Sequence, residues 1–350
     1  MRTKLLAAAL LLASTAAGRA EDRLTKGTPE PKSISALAFG PKGLLFLGDS
    51  TGATIFAVDT GDTTPAGDKP LNVEKIDSKI ASTLGVTEKD VKITDMKVNP
   101  ASGAVYVSAS RGAGAGTPAL VKVARDGTVS AVSLKDVPFA SVKIPNPATE
   151  GKKGPPPVIT QMAFVNGKLI VAGLSSEEFA STLRIIPYPF KDADKGTGVQ
   201  IFHGAHGRLE TASPIYTFVA YKIGKEDTIM AAYQCTPLVK IPVADLKPGT
   251  KVKGTTIAEL GNGNKPLDMI VYTKGGKDYI LMTNTNRGVM KIPTDGFGDA
   301  GAITTRIGDT AGVKYETIKE LTDVVQMDKL NDDSALILLK NGDLKTVPLP

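Results

Sequence analysis

The chain has no tryptophan, one cysteine and only two histidines in 350 residues. A lone cysteine has no partner, so no disulfide framework can exist within the chain. Two histidines are too few for a histidine-rich metal store, and a tryptophan-lined sugar cleft is excluded outright. No apolar run approaches the ~20 residues a membrane-spanning helix needs, so stable membrane insertion is not expected. Aromatic residues make up 5% of the chain and no basic stripe is interleaved with them, which argues against nucleic acid as a partner. Yet 41% of the residues are hydrophobic. With modest charge, that content describes a folded protein and not a disordered one.

Residues 1–20 read as a secretory signal. Arg2 and Lys4 supply its positive end, Leu5 to Ala13 its apolar run, and Gly18 and Ala20 the small residues before a cleavage point at Glu21. The expected protein is exported, to a periplasm or the outside medium, with residues 21–350 as one domain. Removing Arg2, Lys4 and Arg19 from the 42 basic residues leaves 39 against 36 acidic ones, a nearly neutral balance. A monomer is expected.

Sustained helical periodicity is scarce. The best helix candidate runs from Ser78 to Val91, with Ile80, Leu84 and Val91 on one side. Elsewhere the chain is short β-runs punctuated by Gly, Pro, Asn and Asp. These runs repeat. One element joins a basic residue, an apolar residue and often a proline: Leu183 to Pro187, Leu238 to Pro242, Val289 to Pro293 and Leu344 to Pro348, with Leu120 to Val123 and Thr54 to Asp59 as looser copies. A second element pairs a polar or small residue with a bulky one: Ala36-Leu37, Asp95-Met96, Gln161-Met162, Thr217-Phe218, Asp268-Met269 and Gln326-Met327. An apolar strand lies between the two, and a more exposed fourth strand follows, as at Val199 to His203 and Ala302 to Ile307.

Units of four antiparallel strands at this spacing predict an all-β, single β-propeller of six four-stranded blades. The segment Lys135 to Pro157 fits no repeat and leaves room for a seventh. The last unit ends after three strands, so the mature N-terminus around Asp22 to Thr25 is expected to supply the fourth and close the ring. In this patterning the chain resembles secreted six- and seven-bladed propellers of the NHL-like, YVTN-like and gluconolactonase-like kinds. It lacks the Trp-Asp blade ending, the Asp-box and the haem-attachment motif of other propeller groups. The resemblance implies a fold more than a function, since propellers host binders, scaffolds and unrelated enzymes.

Up-and-down connectivity places the second-to-third-strand loops on the same face as the loops that lead into each innermost strand. His203 and His206 fall at the end of the third unit's last strand and in the loop after it. Cys235 falls in the fourth unit's second-to-third-strand loop. Every histidine and cysteine therefore lands in one 33-residue window and on one face, together with Glu210 and Arg208. Two imidazoles, a thiolate and a carboxylate are ligand types for copper or zinc. Packing roles without a metal are the simpler alternative. Loops of other units add Asp49, Arg111, Glu177, Glu178, Asn264, Asn284, Asn286 and Arg287 to the face. Asp95 and Asp268, in the ring of polar residues on the innermost strands, form an axial alternative. The resemblance to gluconolactonase-like propellers implies calcium there.

Two functions follow. One is an exported binding module presenting a small-ligand, metal or protein-binding face with His203, His206 and Cys235. The other is an exported metal-dependent enzyme, either a lactonase-like hydrolase with an axial metal or a copper oxidoreductase.

Overall fold

Alternating apolar residues give each repeat unit a sheet that cannot be left with either face in water, and the sheets solve this by stacking around an axis. The computed structural model describes residues 24–67, 69–112, 116–149 and 156–350; the signal read at residues 1–20 lies outside them. Blades are numbered here in chain order. Their innermost strands are Ala36–Phe39, Val91–Val98, Gln161–Val165, Thr217–Ile223, Pro266–Lys274 and Val324–Lys329. Their third strands are the basic-apolar-proline elements, Thr54–Asp59, Thr117–Val123, Ser181–Pro187, Pro237–Pro242, Val289–Pro293 and Leu344–Pro348. The chain is a six-bladed β-propeller. The one α-helix among the described residues, Ile76–Leu84, is shorter than expected. It buries Ile76 and Ile80 one turn apart and stops at Gly85, whose φ of 68° no longer continues a helix.

The ring is not closed by the N-terminus. Thr25–Gly27 lies outside blade 1, paired antiparallel with Val137–Lys143. The strand that completes blade 6 is Asn72–Val73, paired with Leu344 and Lys345. The reason is side-chain chemistry. Leu71 and Val73 alternate with Asn72 and are buried among Leu336, Leu338 and Leu344, whereas Thr-Lys-Gly has nothing apolar to bury. The described residues of the segment Lys135 to Pro157, 135–149 and 156–157, form no seventh blade. Its strand Val137–Lys143 pairs with Thr54–Asp59 and supplies the outer strand of blade 1. In blade 5 the fourth strand is Glu316–Ile318, and residues 302–307 are irregular.

These two crossings reorder the ring. The chain lays down three strands of blade 1, crosses to blade 6, builds blade 2, and returns to finish blade 1. Around the axis the blades therefore run 1, 3, 4, 5, 6, 2. A repeated hydrogen bond marks three of the six junctions. Leu37 N–H donates to Asp95 Oδ2 (2.6 Å), Val98 N–H to Asp328 Oδ2 (2.7 Å) and Met327 N–H to Asp268 Oδ2 (3.2 Å). Each aspartate thus holds the innermost strand of the next blade. Between blades 1 and 3 the link is made by Ser35 and Ser50, whose hydroxyls donate to Ile159 O.

Candidate functional site

The outer strand of blade 3, Thr197–His203, turns back through four residues into Arg208–Glu210, which pairs with it antiparallel. The turn is tight: His206 N–H and Gly207 N–H both donate to His203 O, at 3.1 and 2.8 Å. Two glycines make it possible. Gly207 has φ +65°, and at Gly204 a Cβ would come within 2.8 Å of Glu259 Cγ. The two imidazoles are brought together, with ring centroids 4.0 Å apart and planes tilted by 40°.

Cys235 sits across the junction, in the hairpin between Glu226–Ala232 and Pro237–Pro242 of blade 4. Cys235 and Thr236 are both left-handed, with φ of 62° and 54°, a conformation non-glycine residues adopt at a cost. Neighbouring backbone holds them there. Cys235 N–H donates to Asn264 O (2.7 Å), Thr236 Oγ1 to Gly261 O (2.9 Å), and Leu260 N–H to Thr236 O (3.0 Å). One ligand atom from each of His203, His206 and Cys235 lies within 4.8 Å of the others. Their co-location, expected from strand order, is the geometry observed.

Glu210 has a different part from the one expected. Its carboxylate lies behind the imidazoles, 2.8 Å from His203 Nδ1 and 2.6 Å from His206 Nδ1, and also accepts from Arg208 Nε at 3.2 Å. Burial alone would raise its carboxyl, but the hydrogen bonds from His203 and His206 hold it at about 2. An ionised carboxylate only accepts, so both Nδ1 atoms carry hydrogen, and in the neutral ring Nε2 is the nitrogen that presents a lone pair. His203 is 1% exposed, its Nε2 has no hydrogen-bond partner, and burial pushes its pKa down despite Glu210. His206 is exposed and Cys235 half-buried. Glu210 orients both imidazoles, and its carboxylate is not among the three side chains whose ligand-type atoms lie together.

Glu259 was not singled out by the sequence. It stands on blade 4's outer strand, Thr255–Leu260, and Oε1 accepts Gly204 N–H at 2.6 Å. Its Oε2 is buried without a partner, and burial raises the carboxyl to about 7, with the charge of Glu210 adding to the effect.

The other face residues are dispersed, and most are tied to their own blades. Arg208 is largely exposed apart from its contact with Glu210. Arg111 is on blade 2 and reaches Leu84 O at 3.5 Å. Asn284 is buried and accepts from Asn264 Nδ2, while Arg287 pairs with Asp309 at 2.5 Å. Asn286 donates to Gly263 O. Asp49 caps the backbone N–H groups of Lys32, Ser33 and Gly52. Glu177 and Glu178 pair with Lys195 and Lys251.

At the axis, Asp95 and Asp268 do not fit the calcium expected there. Lys97 occupies their surroundings, with Nζ 3.6 Å from Asp268 Oδ1. Its ammonium, which burial would destabilise, is held protonated by Asp268, Asp328 and Asp95. Asp95 spends both oxygens on the N–H groups of Leu37 and Met96. Burial raises all three carboxyls, Asp268 to about 7. The axial charges answer one another.

No protein-family model matches the chain, and no curated protein matches its sequence. Solved structures similar to it include a streptogramin B lyase, 10% identical over 93% of this chain and 97% of that one, with a TM-score of 0.37. Drosophila plexin A in complex with semaphorin 1b is 10% identical over 92% and 88%, TM-score 0.42. YCF48 bound to D1 peptide is 9% identical over 93% and 95%, TM-score 0.31. Similarity at this level carries no inference about activity or partners.

Proposed function

We propose that this chain is an exported β-propeller binding module that holds a copper or zinc ion through His203 Nε2, His206 Nε2 and Cys235 Sγ. The observation that carries the reading is the double hydrogen bond from both Nδ1 atoms to Glu210. It is the support that metal-binding histidines ordinarily receive: a carboxylate fixes the tautomer, the ring orientation and the free nitrogen. A buried Nε2 with no partner adds to it, since an unmet lone pair costs stability unless something binds it. Two nitrogens and a sulfur suit copper or zinc and not a hard cation. Three protein ligands leave a coordination position beside exposed His206, where a small molecule or a partner's side chain would complete the set.

Elemental analysis of the protein recovered after export tests this, beside a variant carrying Cys235→Ser and His206→Ala. The expected result is near-stoichiometric copper or zinc in the natural protein and loss of it in the variant. No metal in either, even after incubation with both ions, would overturn the site. The same preparation tests export, since the mature N-terminus is expected at Glu21 by mass spectrometry.

A further inference from the structure

Where the innermost strands begin, all six blades contribute to a cavity of ≈ 780 Å³ at the mouth of the axis. Lys32, Lys92 and Lys265 line it, from blades 1, 2 and 5. Among the described residues none of these ammonium groups has a carboxylate partner, whereas Lys97 deeper in the axis has three carboxylates around it. Lys265 is half-buried, its Nζ 4.3 Å over the Tyr216 ring, and burial together with the charge of Lys92 makes its ammonium easier to deprotonate. Two further wall atoms, Thr160 Oγ1 and Gln326 Oε1, are buried without hydrogen-bond partners. Among the described residues the only acids in the lining are Asp95 and Asp268. They lie at its floor and are already engaged by backbone N–H groups and Lys97.

Three like charges around one concavity repel each other, and an anion bridging them removes that cost. We infer that this mouth is a binding site for a small multivalent oxyanion, a polycarboxylate or a phosphate ester, whose negative groups bridge Lys32, Lys92 and Lys265. Its polar remainder would meet Thr160 and Gln326. The site is separate from the histidine–cysteine cluster and does not depend on a metal there.

The test is calorimetric titration of the whole protein at low ionic strength with citrate and, separately, with inorganic pyrophosphate. One equivalent of either is expected to bind, with affinity falling about tenfold in each of Lys92→Gln and Lys265→Gln, as loss of a charged hydrogen bond implies. Tighter citrate binding identifies a polycarboxylate site, and tighter pyrophosphate binding a phosphate site. Lys277→Gln, in a hairpin on the opposite face, is expected to change nothing, as is the Cys235→Ser, His206→Ala background. The inference is overturned if neither anion binds, if Lys277→Gln weakens binding equally, or if the lysine variants leave it intact. Loss of binding in the cysteine–histidine background would likewise overturn it.

Discussion

With Nδ1–H of both imidazoles given to Glu210, each neutral ring keeps one free nitrogen, and one ring nitrogen of each histidine lies within 4.8 Å of Cys235 Sγ. Glutamine in place of Glu210 keeps the shape but has a single acceptor oxygen, so one imidazole loses its anchor and its fixed tautomer. Glu210→Gln is therefore expected to weaken metal binding about 10–100-fold while all three ligands remain, as competition with a chromophoric chelator would measure. Unchanged affinity would mean that the carboxylate only neutralises charge. A second residue-scale prediction concerns Asp268. Its carboxyl is raised to about 7 in the folded chain, so between the unfolded value and 7 the native state holds a proton that the unfolded state has lost. Its contribution is complete at low pH and is lost as pH rises through about 7. Denaturant unfolding is expected to show stability falling from about pH 4 to about pH 7, with a shallower fall in Asp268→Asn. An identical slope in the variant would contradict this; Glu259, also near 7, accounts for part of what remains.

The meeting of His203, His206 and Cys235 was legible in the sequence because strand order alone puts the end of one blade's outer strand beside the next blade's second hairpin. The supporting residues were not. Lys97 and Asp328 each lie two positions from a polar residue that was noticed, Asp95 and Gln326, yet two-residue alternation does not tell which charges will meet across an axis. Glu259 gave no signal, being one acid on an outer strand.

Strands were recovered from sequence more faithfully than the pairing of outer strands. Apolar alternation specifies a strand locally, whereas the edge it joins is chosen by fit against distant residues. Leu71 and Val73 fill the edge of blade 6, and Thr25–Gly27 merely covers an edge already made. Leu71→Ala is accordingly expected to cost about 2–5 kcal/mol of stability in urea unfolding. Deleting residues 25–27 is expected to cost less than about 1 kcal/mol, as for exposed termini. The reverse ranking would return closure of the ring to the N-terminus.

At the scale of the molecule, the ring order 1, 3, 4, 5, 6, 2 leaves blades 3 and 4 adjacent, and the cluster spans that junction. Rigid sheets fix the distance between His203 and Cys235, and the two glycines and the left-handed turn bring their side chains together. The account stands on a metal bound by two imidazoles and a thiolate. X-ray absorption at the metal edge, on protein loaded with one equivalent of zinc, tests this most directly. It is predicted to show one sulfur at about 2.3 Å and nitrogen neighbours at about 2.0 Å with imidazole outer-shell scattering. A first shell of oxygen and nitrogen without sulfur would contradict it.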